Sequence, residues 1–107
     1  MGHATSHVSN LPAVLPVGTV HDVLQALSDP VRLEMVRRLD AGQDHTVRCS
    51  ALYEDISKST ASHHFKVLRE AGITERIYID GVMHQKLRLE ALEDALPGVV
   101  PSVLGAL

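Results

Sequence analysis

The chain has no tryptophan, one phenylalanine and two tyrosines among 107 residues. With aromatics this scarce, its core must rest on Leu, Val, Ile and Ala. A single cysteine, Cys49, excludes an internal disulfide framework and suits a reducing cytoplasm. No apolar run approaches the ~20 residues that a membrane-spanning helix needs. The stretch from Val8 to Val17 is apolar, but Pro12 and Pro16 interrupt it. The N-terminus lacks a basic segment followed by a continuous apolar one, so no secretory signal is expected. Catalytic signatures are also missing. There is no Gly-rich phosphate loop, no Gly-x-Ser-x-Gly elbow and no carboxylate pair in an apolar setting. The expectation is a protein that is not an enzyme and carries no cofactor.

What is present is a length sufficient for one domain with one core, and 45% hydrophobic residues, ordinary for a folded chain. The net charge of −3 argues at first against a nucleic-acid partner, but its distribution matters more than its sum. Residues 58–88 hold Lys58, Lys66, Arg69, Arg76, Lys86 and Arg88 against Glu70, Glu75 and Asp80, for +3. Residues 1–57 and 89–107 each carry −3. The positive charge is therefore confined to one contiguous third of the chain.

Residues 1–17, with Gly, Ser, Asn and two prolines and no period, read as a flexible arm, followed by a single domain over 18–107. Thr19 is a plausible N-cap for a first helix to Leu27, whose Val20, Val23, Leu24 and Leu27 share one face. Asp29 and Pro30 start a second helix running to about Leu39, stopped by Ala41-Gly42. Its Val31, Leu33, Met35, Val36 and Leu39 point largely inward, and Arg32, Arg37 and Arg38 are expected toward solvent or phosphate. Gln43 to Arg48 reads as a polar connection, and Cys49 to Glu54 as a short third helix.

The stretch from Ser57 to Gly72 is the most telling. It predicts a helix with Thr60, Ser62, His63, Lys66 and Arg69 on a small polar face, and Ala61, Phe65, Leu68 and Ala71 on an apolar one. Such a helix can pack on a core and still slide side chains into a DNA major groove. The period then changes to two. Asp80-Gly81, between alternating runs, signals a two-residue hairpin. A hairpin directly after such a helix is a wing. Glu90 to Leu96 reads as a short helix ended by Pro97-Gly98. Val99, Val100, Val103, Leu104 and Leu107 form a last apolar stripe, which either pairs two copies together with the first helix or closes the core of one.

The segments Leu27-Ser28-Asp29-Pro30-Val31-Arg32-Leu33 and Ser57 to Ile73, with the Asp80-Gly81 hairpin, resemble ArsR/SmtB-type winged-helix repressors. The resemblance covers about residues 19–89. It implies a mainly α fold with a small β-hairpin, a winged helix-turn-helix, in a cytoplasmic homodimer. It also implies transcriptional repression of a double-stranded DNA operator, relieved by a metal ion, a redox change or another small effector. The chain departs from the metal-sensing members of that family. The region matching their Cys-x-Cys pair reads Thr46-Val47-Arg48-Cys49-Ser50, with one thiol, and residues 90–107 contain neither His nor Cys.

The candidate DNA contacts are Lys58, Ser59, Thr60, Ser62, His63 and Lys66 on the helix. Ser59, Thr60, Ser62 and His63 are placed to read bases, and the two lysines to meet phosphates. Ser59 can alternatively serve as an N-cap. In the wing, Arg76 and His84 flank the tip with Asp80 and Gly81. His64, beside the apolar face, suits a hydrogen-bonded scaffold role. Asp44, His45 and Cys49 are suitable metal ligands, but three would need a fourth from elsewhere. No metal is assigned. Cys49 is either a small core residue or a redox switch with Arg48 beside it to lower its pKa. The alternative function is a winged-helix protein-interaction module without its own operator, favoured by the acidic total charge.

Overall fold

The computed structural model describes residues 14–107, so residues 1–13 of the expected arm lie outside the described residues. The chain runs α1 (Val20–Leu27), α2 (Pro30–Ala41), a 3₁₀ turn (Gln43–His45), β1 (Thr46–Arg48) and a second 3₁₀ turn (Cys49–Leu52). It continues with α3 (Lys58–Glu70), β2 (Thr74–Ile79), β3 (Val82–Leu87), α4 (Leu89–Ala95) and α5 (Val99–Gly105).

Local chemistry starts the first two helices where the sequence predicts. The Thr19 hydroxyl accepts the Asp22 N–H at 3.1 Å, and the Asp22 carboxylate accepts the Thr19 N–H at 3.0 Å, a reciprocal capping box. The Asp29 carboxylate accepts the Val31 and Arg32 N–H groups at 2.9 and 3.0 Å, with Pro30 in the first helical position. The buried face of α1 is Val23, Ala26 and Leu27, which are three and four residues apart. Val20 and Leu24 were expected on that face and are each 45% exposed.

Two expectations between α2 and α3 are corrected. The connection 43–48 contains a strand, β1, which pairs antiparallel with β3 through Thr46↔Lys86, Val47↔Gln85 and Arg48↔His84. The expected helix over 49–54 is only a single 3₁₀ turn, Cys49–Leu52. Asp44 and His45 both have positive φ, 55° and 57°, a region that Asp and His enter more readily than most residues.

The sheet order is β1-β3-β2. Asp80 and Gly81 both have positive φ, 51° and 77°, which gives the hairpin a type I′ turn matching the right-handed twist of its strands. Thr74, Gln85 and Leu87 are buried on the inner face of this sheet. Met35, Val36 and Leu39 of α2 are buried in one core with Ala61, Phe65 and Leu68 of α3, Ile73, Leu92 of α4 and Val100 of α5. Burying each of the larger aliphatic or aromatic side chains contributes about 1.5–3 kcal/mol.

The last residues of the expected arm are held against the domain. The Gly18 N–H donates to the Ala71 carbonyl at 2.9 Å, and Arg88 Nη1 donates to the carbonyls of Leu15 and Gly72. Gly72 has φ 77°, and a side chain there would collide with the Pro16 carbonyl and the backbone of Val17. Among the described residues no helix is long and apolar enough to cross a membrane.

Candidate nucleic-acid interface

Helix α3 begins at Ser57, whose hydroxyl oxygen accepts the Thr60 N–H at 3.1 Å. Ser57 Oγ also donates to Thr60 Oγ1 at 2.9 Å. The cap is therefore Ser57, and Ser59 lies inside the helix with its side chain outward. The inner face is Ala61, His64, Phe65 and Leu68, all buried. Lys58, Ser59, Thr60, Ser62, His63 and Lys66 are all exposed. Ser59, Ser62, His63 and Lys66 follow i, i+3, i+4, i+7 spacing, so they form one stripe along the outside of the helix. The stripe starts at the helix N-terminus, whose free N–H groups and dipole favour an anionic partner.

The wing residues divide. In the hairpin register, Ile79 faces Val82, Tyr78 faces Met83, Ile77 faces His84 and Arg76 faces Gln85. Since side chains alternate along a strand, Arg76 and His84 lie on opposite faces of the sheet. Arg76 shares its face with the buried Gln85 and Thr74, well back from the turn. Its Nε is buried with no hydrogen-bond partner among the described residues. His84 is on the outer face, where its Nδ1 donates to the Val82 carbonyl at 2.8 Å. The sequence reading missed the apolar character of the tip, where Tyr78 is 61% exposed and Ile79 and Val82 are also exposed.

His64 has the scaffold role expected of it. It is buried, and its Nδ1 lies 3.1 Å from Arg32 Nη1. Burial and the nearby Arg32 and His63 push its pKa below the ordinary imidazole value, against the pull of Asp29. The expectation that Arg32, Arg37 and Arg38 point to solvent or phosphate holds for Arg37, which is exposed, and is corrected for the half-buried Arg32 and Arg38. Arg32 Nε donates to the Ala26 carbonyl at 2.7 Å, and Arg38 Nη1 to the Ala51 carbonyl at 2.9 Å. Arg37 forms a two-pronged pair with Glu34, at 2.8 and 2.7 Å. These bonds hold the Glu34 carboxyl down at about 2. The available signal was Arg32 in the first turn of a helix. A cation is disfavoured by the dipole there unless it has a partner elsewhere.

The candidate sensor residues are dispersed. Cys49 is buried, and its Sγ accepts from Gln85 Nε2 at 3.7 Å. Burial pushes its thiol pKa up, outweighing the hydrogen bond from Gln85 and the pull of Arg69 and Arg76. Arg48, expected to activate the thiol, is exposed and takes no part. Asp44 is exposed, and His45 Nδ1 lies 3.2 Å from the Asp40 carbonyl. Among the described residues no group of three or more His, Cys, Asp or Glu side chains could hold a metal ion. A groove of about 1120 Å³ lies on the outer sheet face between His45, Ile77, His84 and Glu90, away from the α3 stripe.

Comparison with known proteins agrees with this geometry. A family described as a helix-turn-helix domain matches residues 27–77, the span from the end of α1 into β2. An uncharacterized HTH-type transcriptional regulator, YceK, of Bacillus subtilis (strain 168) is 35% identical over 83 residues, covering 76% of this chain and 82% of the relative. The transcriptional repressor BigR from Xylella fastidiosa superposes with a TM-score of 0.61 at 28% identity, covering 81% of this chain and 84% of that one. An ArsR-like transcriptional regulator from Rhodococcus sp. RHA1 has the same fold, with a TM-score of 0.61 at 20% identity, over 80% of this chain and 78% of that one. With the capped α3, its exposed stripe and the wing that follows, the chain belongs to the HTH-type transcriptional regulators and has the winged helix-turn-helix fold of the ArsR-like structure.

Proposed function

We propose that this protein is a repressor that binds a two-fold-symmetric DNA operator as a homodimer and is released by a small effector. The observation that carries the reading is the α3 stripe. Ser59, Ser62, His63 and Lys66 stand outward on a helix whose opposite face is anchored in the core. Ser59, Thr60, Ser62 and His63 read base edges, and Lys58 and Lys66 meet phosphates. His84 on the outer sheet face adds a wing contact. The inward placement of Arg76 favours a packing role beside Cys49 for that residue.

The homodimer is supported by Val20 and Leu24, two apolar side chains left exposed on α1, and by Leu107 beyond α5. Val100 of α5 is spent on the core of its own chain, so the last helix serves both roles. Two copies would set their recognition helices about 34 Å apart, in successive major grooves. The effector acts by its differential affinity for the bound and released forms. The description of the Xylella relative as a repressor supports the direction of regulation. In a bacterial cell such a protein works in the cytoplasm, beside the DNA.

The test is selection of duplexes from a random-sequence library, followed by titration of the enriched duplex at several salt concentrations. An enriched site with two inverted half-sites, bound with a steep salt dependence, is the expected result. Absence of binding at low salt would leave the protein-interaction module as the function.

A further inference from the structure

Arg32 joins three helices through one guanidinium. Its backbone N–H is held by the Asp29 cap at the start of α2. Its Nε donates to the carbonyl of Ala26, in the last turn of α1, where carbonyls have no partner within the helix. Its Nη1 lies 3.1 Å from His64 Nδ1 on the buried face of α3. A guanidinium only donates, so His64 Nδ1 accepts, and the imidazole is neutral with its proton on Nε2. The tautomer is thus dictated by the partner.

We propose that the Arg32–His64 hydrogen bond seats the recognition helix against α1 and α2, and that His64 is a positioning residue competent for operator binding only as a neutral imidazole. The inference rests on α3 being the DNA-reading helix. Protonation puts a hydrogen on Nδ1, abolishes the acceptor and sets two cations face to face. The charged and titratable groups acting on His64 are Asp29 and Arg32 at the start of α2, and His63 on its own helix. From α1 the guanidinium is met by the uncharged Ala26 carbonyl, while the Asp22 carboxylate of α1 and Glu70 of α3 line the adjoining hollow with Arg32 and His63. Asp29 Oδ2, 4.0 Å from His64 Nδ1, is the one group that gains from a charged ring. That oxygen already holds the first two free N–H groups of α2. A charged His64 therefore turns from Arg32 toward the α2 cap, and the recognition helix loses its tie to α1. Because α1 carries the exposed Val20 and Leu24, the same bond links the proposed subunit interface to the reading head.

Protonating His64 weakens operator binding. Its pKa is lowered by burial, so the loss falls below the ordinary imidazole value of 6.5.

The experiment measures affinity for the duplex enriched by the wild-type protein, at constant salt, from about pH 7.5 to about pH 5. Wild type is expected to lose about tenfold across this range. His64→Leu fills the site without an acceptor and is expected to lose about tenfold already at neutral pH. His64→Asn offers Oδ1 in place of Nδ1, restores most of that loss, and stays flat or tightens in acid. Parallel acid profiles for wild type and His64→Asn would overturn the proposal. A second measurement needs neither DNA nor a variant: nitrogen-15 spectra of the wild-type imidazoles through the same titration. They are expected to show His64 as the Nε2–H tautomer, with α3 amide shifts moving at its midpoint. An Nδ1–H tautomer, or α3 amides indifferent to that midpoint, also overturns it. If no duplex is enriched at neutral pH, the DNA reading fails, and the imidazole spectra alone decide whether the bond seats α3.

Discussion

Lys66 offers the sharpest test of the interface, because its contribution can be separated from folding. It sits on the exposed stripe of α3, one turn beyond Ser62 and His63. Among the described residues it has neither a salt bridge nor a side-chain hydrogen bond, so its charge is available to a phosphate. Substitution of an exposed residue of this kind changes stability by no more than about 0.5 kcal/mol. Each phosphate neutralised contributes about 0.9 to the slope of log affinity against log salt. A dimer presents Lys66 twice, so Lys66→Ala should flatten the slope by about 1.8. Between about 50 mM and about 200 mM salt, that flattening narrows the gap between wild type and variant by about tenfold. Fluorescence anisotropy on the enriched duplex at four or more salt concentrations reads both slopes. Ser62→Ala with His63→Ala should behave differently. Affinity for the preferred site falls by about 1–3 kcal/mol per lost base contact, while the salt slope stays near that of wild type. An unchanged slope for Lys66→Ala would remove the lysine from the phosphate contacts. An unchanged site preference for the double variant would remove the base-reading assignment.

Three further outcomes follow from the packing. Asp29→Ala removes the acceptor for two N–H groups of α2 and should cost about 1 kcal/mol in urea unfolding. The Asp29 carboxyl is held below its ordinary value of 3.8, chiefly by the Arg32 N–H. Its stabilisation is therefore full above that value and lost as pH falls through the lower folded one. The acid limb of the wild-type unfolding curve should consequently be steeper there than that of Asp29→Ala, and identical limbs would count against the cap. Gly72→Ala combines a left-handed φ with a collision against Pro16 and Val17, and should lower the melting temperature by at least about 4 °C. An unchanged melting temperature would mean that residues 16–17 are not held there. Val20→Asp with Leu24→Asp alters two exposed positions of α1 and should leave a folded monomer with weakened operator binding. Sedimentation of an intact dimer would move the subunit interface elsewhere.

The elements carried by local chemistry were legible in the residues. Thr19 and Asp29 with Pro30 satisfy free N–H groups, and helices start behind each of them; at α3 the sequence offered Ser59 as a cap, and the structure gives that role to Ser57. Asp80-Gly81 is legible for the same reason, since its two positive φ angles are demanded by a two-residue turn. The exposed stripe of α3 follows directly from helical periodicity. β1 was not legible. Three residues are too few to show a period of two, and their partner, β3, lies nearly forty positions away. Cys49–Leu52 lacked a capping side chain, and the chain closes only a single 3₁₀ turn there.

By itself the sequence determined where α1, α2, α3 and the hairpin lie, which face of α3 is polar, and where the positive charge gathers. These depend on interactions within a few residues along the chain. Only the tertiary structure decided what each long side chain does. It turned Arg32 inward to join α1 with α3, set Arg76 behind the sheet and His84 before it, and buried Cys49 against Gln85. It also left Val20 and Leu24 outside a core that periodicity alone would have given them. The physical reason is reach. A guanidinium or thiol is committed by whatever packing brings within hydrogen-bonding distance, and residues thirty or more positions apart meet only once the chain has folded.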